Sequence, residues 1–106
     1  MEYKEFLEKL KASNIDQKTS EFTEDMPDEL YELWESFDPG IVESDLDIEK
    51  HRWYEISTDV YEVNGNYFGV RGATQMYSES SMWSDLFVTW EVFEMKPVQI
   101  ITYVTI

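Results

Sequence analysis

Glu43, Asp45, Asp47 and Glu49 stand at every second position within `FDPGIVESDLDIEKHRW`, residues 37–53, with no basic residue between them. Carboxylates in this density can ligate a divalent cation, divide general acid and base roles, or present an anionic row to a cationic partner. The first chemistry fails on spacing. Asp38 to Glu49 has the length and the end residues of a calcium loop, but Gly40 and Val42 fall where oxygen ligands belong, and Glu43 falls where the turn needs glycine. The second is not singled out: among 23 acids no pair stands apart as a catalytic couple. There is no cysteine, and His51, the one histidine, sits between Lys50 and Arg52 in a charged strand-start context. The chain is therefore read as a non-enzyme that needs no metal or cofactor.

The third chemistry fits the wider charge pattern. Formal net charge is -15, and Glu21, Glu24, Asp25, Asp28, Glu29, Glu32, Glu35, Asp38, Glu43, Asp45, Asp47 and Glu49 all lie between residues 21 and 49, a segment without Lys or Arg. Acids kept only for solubility are normally interspersed with lysines, because mutual repulsion costs stability. If `VESDLDIE` is extended, carboxylates at i and i+2 lie roughly 6.6 Å apart on one face, with Leu46 and Ile48 turned inward. That is comparable to the spacing of phosphates along a nucleic-acid strand. Such a field repels nucleic acid and anionic membranes and draws in basic proteins. Glu24, Asp25, Asp28, Glu29, Glu32, Glu35, Asp38, Glu43, Asp45, Asp47 and Glu49 are the expected contacts. Trp83, beside Met82 in the polar stretch `YSESSMWSD`, is expected to add an exposed apolar anchor.

Two helices should carry part of this charge. Tyr3, Phe6, Leu7 and Leu10 make one apolar face over residues 1–12. `SNIDQKTSEFTEDM` reads as a connecting loop. A second helix starts near Pro27, places Leu30, Leu33, Trp34 and Phe37 on one face, and stops at `DPG`, residues 38–40. From Trp53 the period changes. `VNGN`, residues 63–66, signals a two-residue hairpin between strands at about 52–63 and 66–77, with Tyr61 opposite Phe68. Gly69 and Gly72 are read as a bulge in the second strand, and `GNYFGVRG`, inside a hairpin, is no phosphate loop. Further strands are expected over 86–95 and over `VQIITYVTI` at the end.

The fold class expected is α+β: two N-terminal helices packed on a four-stranded antiparallel β-meander. It forms a single domain, residues 1–106, in which 1–50 is the acidic helical half and 51–106 the β-sheet half. Four Trp, seven Tyr and six Phe are ample for its core. No apolar run approaches the roughly 20 residues that span a bilayer, so a cytoplasmic protein is expected.

The central block, `HRWYEISTDVYEVNGNYFGVRGATQMYSESSMWSDL` with the later `VFEM`, resembles a group of small, uncharacterised proteins of phages and mobile elements of Gram-positive bacteria. The resemblance covers residues 51–95 and carries no catalytic residues. It implies a phage protein acting in the host cytoplasm. Joined to the acidity, it implies an inhibitor of host defence, in particular an anti-CRISPR protein whose acidic face mimics DNA and blocks target-DNA (PAM) binding by a CRISPR effector or another defence nuclease. The alternative is a phage structural or assembly protein that self-associates through a sheet edge such as `VQIITYVTI`, or an acidic regulator of a basic host protein.

Overall fold

The computed structural model of the chain describes residues 2–50, 54–75, 89–98 and 103–106. Its elements are α1 (Tyr3–Ala12), α2 (Phe22–Asp25), α3 (Asp28–Phe37), β1 (Gly40–Lys50), β2 (Tyr54–Val63), β3 (Asn66–Gln75) and β4 (Glu91–Met95). The architecture is α+β, with four antiparallel strands side by side in chain order.

Local chemistry accounts for the boundaries. α1 buries Phe6, Leu7 and Leu10, spaced three and four residues apart, while its lysines Lys9 and Lys11 lie in the last turn against the negative end of the helix dipole. α3 follows Pro27, whose fixed φ suits a helix start, and carries Asp28 and Glu29 in the first turn. It ends at Asp38, which takes the left-handed conformation and donates its N–H to the Trp34 carbonyl at 2.8 Å. Asn64 and Gly65 both have positive φ, as a tight hairpin turn demands, and β2 and β3 then pair without interruption from Val63↔Asn66 to Tyr54↔Gln75.

The helices cover one face of the sheet. Phe6 and Phe68 are fully buried, and Phe6 stacks on Phe37 at 4.4 Å while Trp34 meets the Tyr61 ring edge-on at 4.9 Å. Phe22 joins this aromatic core from α2, edge-on to both Trp34 and Trp90.

Four expectations are corrected. The acidic segment is not wholly helical: residues 40–50 form β1, an edge strand of the sheet. The stretch expected as a loop contains the single turn α2, held by its buried Phe22. Gly69 and Gly72 mark no bulge. A Cβ at Gly69 would lie 2.7 Å from Phe93 and Met95, and one at Gly72 would lie 1.9 Å from the Trp90 ring. These positions are glycine because large side chains pack flat on the sheet there. Finally, of the strand expected over `VQIITYVTI`, residues 99–102 lie outside the described residues and 103–106 belong to no strand, with Tyr103 95% exposed; β1 completes the four-stranded sheet at its other edge. Trp83, Met82, His51 and the strand residues expected at 86–88 lie outside the described residues.

Candidate partner-binding face

The acids of residues 21–49 are set out by three elements in different ways. On α3, Leu30 and Trp34 face the core, so Asp28, Glu29, Glu32 and Glu35 occupy the solvent side. The Trp34–Tyr61 contact seats α3 over β2, and Ile41 on β1 pairs with the same Tyr61. The outer side of α3 and the β1 edge therefore border one another. α1, with Lys4, Lys9 and Lys11, also packs against β4, toward the opposite edge. The lysines of α1 therefore lie away from the β1 edge, on a helix that also carries Glu5 and Glu8.

β1 does not form the even row expected from its alternation. Its ladder to β2 slips by one residue three times, so that Glu43, Leu46 and Glu49 pair with Val60, Thr58 and Ile56. Asp45 and Asp47 sit in the intervening bulges with φ of 55° and 51°. Asp is among the few non-glycine residues that visit this region readily. In a period-three strand, Leu46 is half-buried and Ile48 is 45% exposed, rather than both facing inward. Val60, Thr58 and Ile56 alternate with Tyr61 and Asp59, so Glu43 and Glu49 stand with the sheet face turned away from the helices. Glu49 confirms this placement by reaching Arg71 on β3 at 3.1 Å, since Arg71 is the partner of Thr58 on that same face. The carboxylates thus wrap the β1 edge as a band: α3 on one face, Asp45 and Asp47 on the rim, Glu43 and Glu49 on the other.

Most of the band is uncompensated. Glu24, Asp28, Glu29, Glu32, Glu35, Asp38, Glu43, Asp45 and Asp47 are exposed and form no ion pair with any described residue. Asp25 differs. Its carboxylate accepts hydrogen bonds from the backbone N–H of Lys18 at 2.9 Å and of Thr19 at 3.0 Å, and from the Trp90 indole Nε1–H at 2.9 Å. It is half-buried and its charge-assisted bonds tie the 18–19 backbone and Trp90 together within the fold.

Sequence reading missed two features here. Gln17 is buried, and its side-chain amide pairs with the backbone of Ala73: Nε2 donates to the Ala73 carbonyl, and the Ala73 N–H donates to Oε1 at 3.0 Å. Asp59, from β2, accepts the Asp45 N–H at 3.3 Å and so fastens the first of the two left-handed positions. A glutamine in a polar stretch and an aspartate in a strand carry no local signal of such pairings.

Among the described residues no group of three His, Asp or Glu is placed to hold a metal ion, and no helix is long and apolar enough to cross a membrane. No protein-family model, curated protein or solved structure matches the chain.

Proposed function

We propose that this protein is an inhibitor that presents its acidic band to a basic nucleic-acid-binding protein and occupies the place of the nucleic-acid backbone. The observation that carries this reading is the run of acids from residue 21 to 49, unbroken by Lys or Arg and set on folded elements with almost no counter-charge from the other described residues. A channel lined with Lys and Arg gains affinity for DNA by releasing condensed counterions. A fixed anionic band competes for the same cations without the DNA. The setting we propose follows the resemblance read in the sequence of residues 51–95: a phage or mobile-element protein facing a defence nuclease of the host, with a CRISPR effector as the foremost target, in the host cytoplasm. PAM-reading arginines would be natural partners of the carboxylates.

The alternative, a self-associating assembly protein, draws less support. β1 is bulged and charged, and β4 is five residues long, and both features discourage edge-to-edge pairing.

The test is competition with target DNA for binding to guide-loaded CRISPR effectors of Gram-positive hosts, at two salt concentrations. Asp45→Asn with Asp47→Asn is the variant of choice, because Asn tolerates the left-handed conformation and keeps the backbone. Salt-sensitive competition that weakens in this variant supports the proposal. Equal potency of the variant and the parent would count against any use of the β1 rim, and absence of binding at low salt would redirect the search to restriction enzymes.

A further inference from the structure

The acidic band borders a cleft that its own charges do not explain. The cleft, of about 380 Å³, opens between α2, α3 and the β1–β2 pair. Its walls are the rings of Phe22, Trp34, Tyr61 and Trp90, and two carboxylates, Glu21 and Asp59, line it with them. Among its described lining residues there is no Lys, Arg or His. Asp59 is half-buried, and the single hydrogen bond it accepts from a described residue is that of the Asp45 N–H.

These features select a cation. Electron-rich ring faces attract positive charge, and a carboxylate that keeps acceptor capacity beside them adds a directed charge-assisted bond. An anion would meet two negative charges, and a neutral apolar group would leave them desolvated. Tyr61 reports the same field from the inside. It is 8% exposed, its hydroxyl bonds to no described residue, and burial together with the charges of Asp59 and Glu21 pushes its pKa up to about 12. Between the two cationic side chains, arginine suits the cleft better than lysine. Its guanidinium is planar, stacks on rings, binds carboxylate with two parallel N–H groups and sheds water more easily.

We infer that this cleft is a socket for one arginine side chain of the basic partner, with the guanidinium held between the aromatic walls and the carboxylates of Asp59 and Glu21. The inference rests on the acidic-face reading above and is continuous with it, since Ile41 of β1 lines the cleft and Asp45 of the rim is bonded to Asp59. The band would draw the partner in over a distance, and the socket would fix its register, as a buried charged anchor does at the centre of an interface.

The probe is N-acetyl-arginine amide, titrated into the full chain and followed by the NMR signals of the Trp34 and Trp90 indoles. N-acetyl-citrulline amide, of the same shape without the charge, is the control. Saturable shifts at both indoles with the arginine probe alone are expected. Glu21→Gln with Asp59→Asn, which retains the acceptor for the Asp45 N–H, should weaken the probe at least roughly tenfold, in keeping with the loss of a charge-assisted contact. Glu29→Gln, Glu32→Gln and Glu35→Gln together should leave it within about twofold, as expected for screened charges on the outer side of α3. Equal shifts with citrulline, or unaltered arginine binding in the Glu21/Asp59 variant, would overturn the socket. The same variants in the DNA-competition assay separate the two proposals. Full competition by the socket variant with loss in the α3 variant overturns the socket and leaves the acidic face standing. A parent protein that takes the probe at both indoles but never competes with DNA upholds the socket and removes the mimicry.

Discussion

At Asp25 three N–H groups converge on one carboxylate, two from the backbone of residues 18 and 19 and one from the indole of Trp90. In the sequence it looks like one more acid in a long run, and nothing in its neighbours distinguishes it from Glu24. Only the fold brings Trp90 to it, across 65 positions of chain. Asp25→Ala should destabilise the protein by about 2–3 kcal/mol in urea unfolding, because two of the three donors it leaves behind, the Thr19 N–H and the Trp90 indole, are partly buried. Asp25→Asn should recover part of this. A loss below about 0.5 kcal/mol, the level of an ordinary surface substitution, would mean the carboxylate is a surface group after all. Tyr61 gives a prediction of opposite sign in charge. Its folded pKa of about 12 stands above the ordinary 10.0, so the unfolded chain releases this proton first as pH rises. Its contribution is fully present below pH 10 and is lost between 10 and 12. Tyr61→Phe should therefore remove part of the fall in stability over that interval, measured by denaturant midpoints at stepped pH, while changing little at neutral pH. Identical alkaline profiles for the two proteins would refute the assignment.

The elements differ in how far the sequence announces them. α1 and α3 do so because their apolar residues recur at helical spacing, and the β2–β3 hairpin does so because Asn64-Gly65 dictates both turn and register, placing Tyr61 opposite Phe68 as expected. β1 shows in the sequence only as a conditional extended row inside the half expected to be helical, neither as a strand of the sheet nor as bulged. Its letters alternate with period two, whereas its pairing advances by three residues against two of β2, and that mismatch is set by where Val60, Thr58 and Ile56 lie. Of the acidic site, the exposure of α3 could be read from periodicity, but the division of β1 acids between rim and far face required the register. The bulges make a specific claim about Asp47. Val is a better strand former than Asp, yet Asp47→Val should destabilise by about 1–2 kcal/mol, since a β-branched residue resists the left-handed conformation. Asp47→Gly should be neutral or stabilising in the same thermal or urea unfolding series. A stabilising Val would mean that β1 is a regular strand with the alternating row.

Across the whole molecule, charge and stability pull against each other. α3 has Asp28 and Glu29 at its positive end, where they help, but its last turn holds no basic residue and Glu35 approaches its negative end. Glu32 and Glu35, three residues apart, also repel. Neutralising both as Glu32→Gln and Glu35→Gln should raise stability by about 0.5–1 kcal/mol, the sum of a relieved dipole clash and a relieved like-charge pair. If the band exists to meet a basic partner, the same variant must lose competition with DNA and show a shallower dependence on salt, because fewer cations are matched at the interface. The two readouts are coupled by one cause and move in opposite directions. A surface charged only for solubility makes a different forecast: the stability gain appears, and no binding is lost with it. Measuring urea midpoints and DNA competition on the same preparations distinguishes a fold that tolerates its acids from one whose partner requires them.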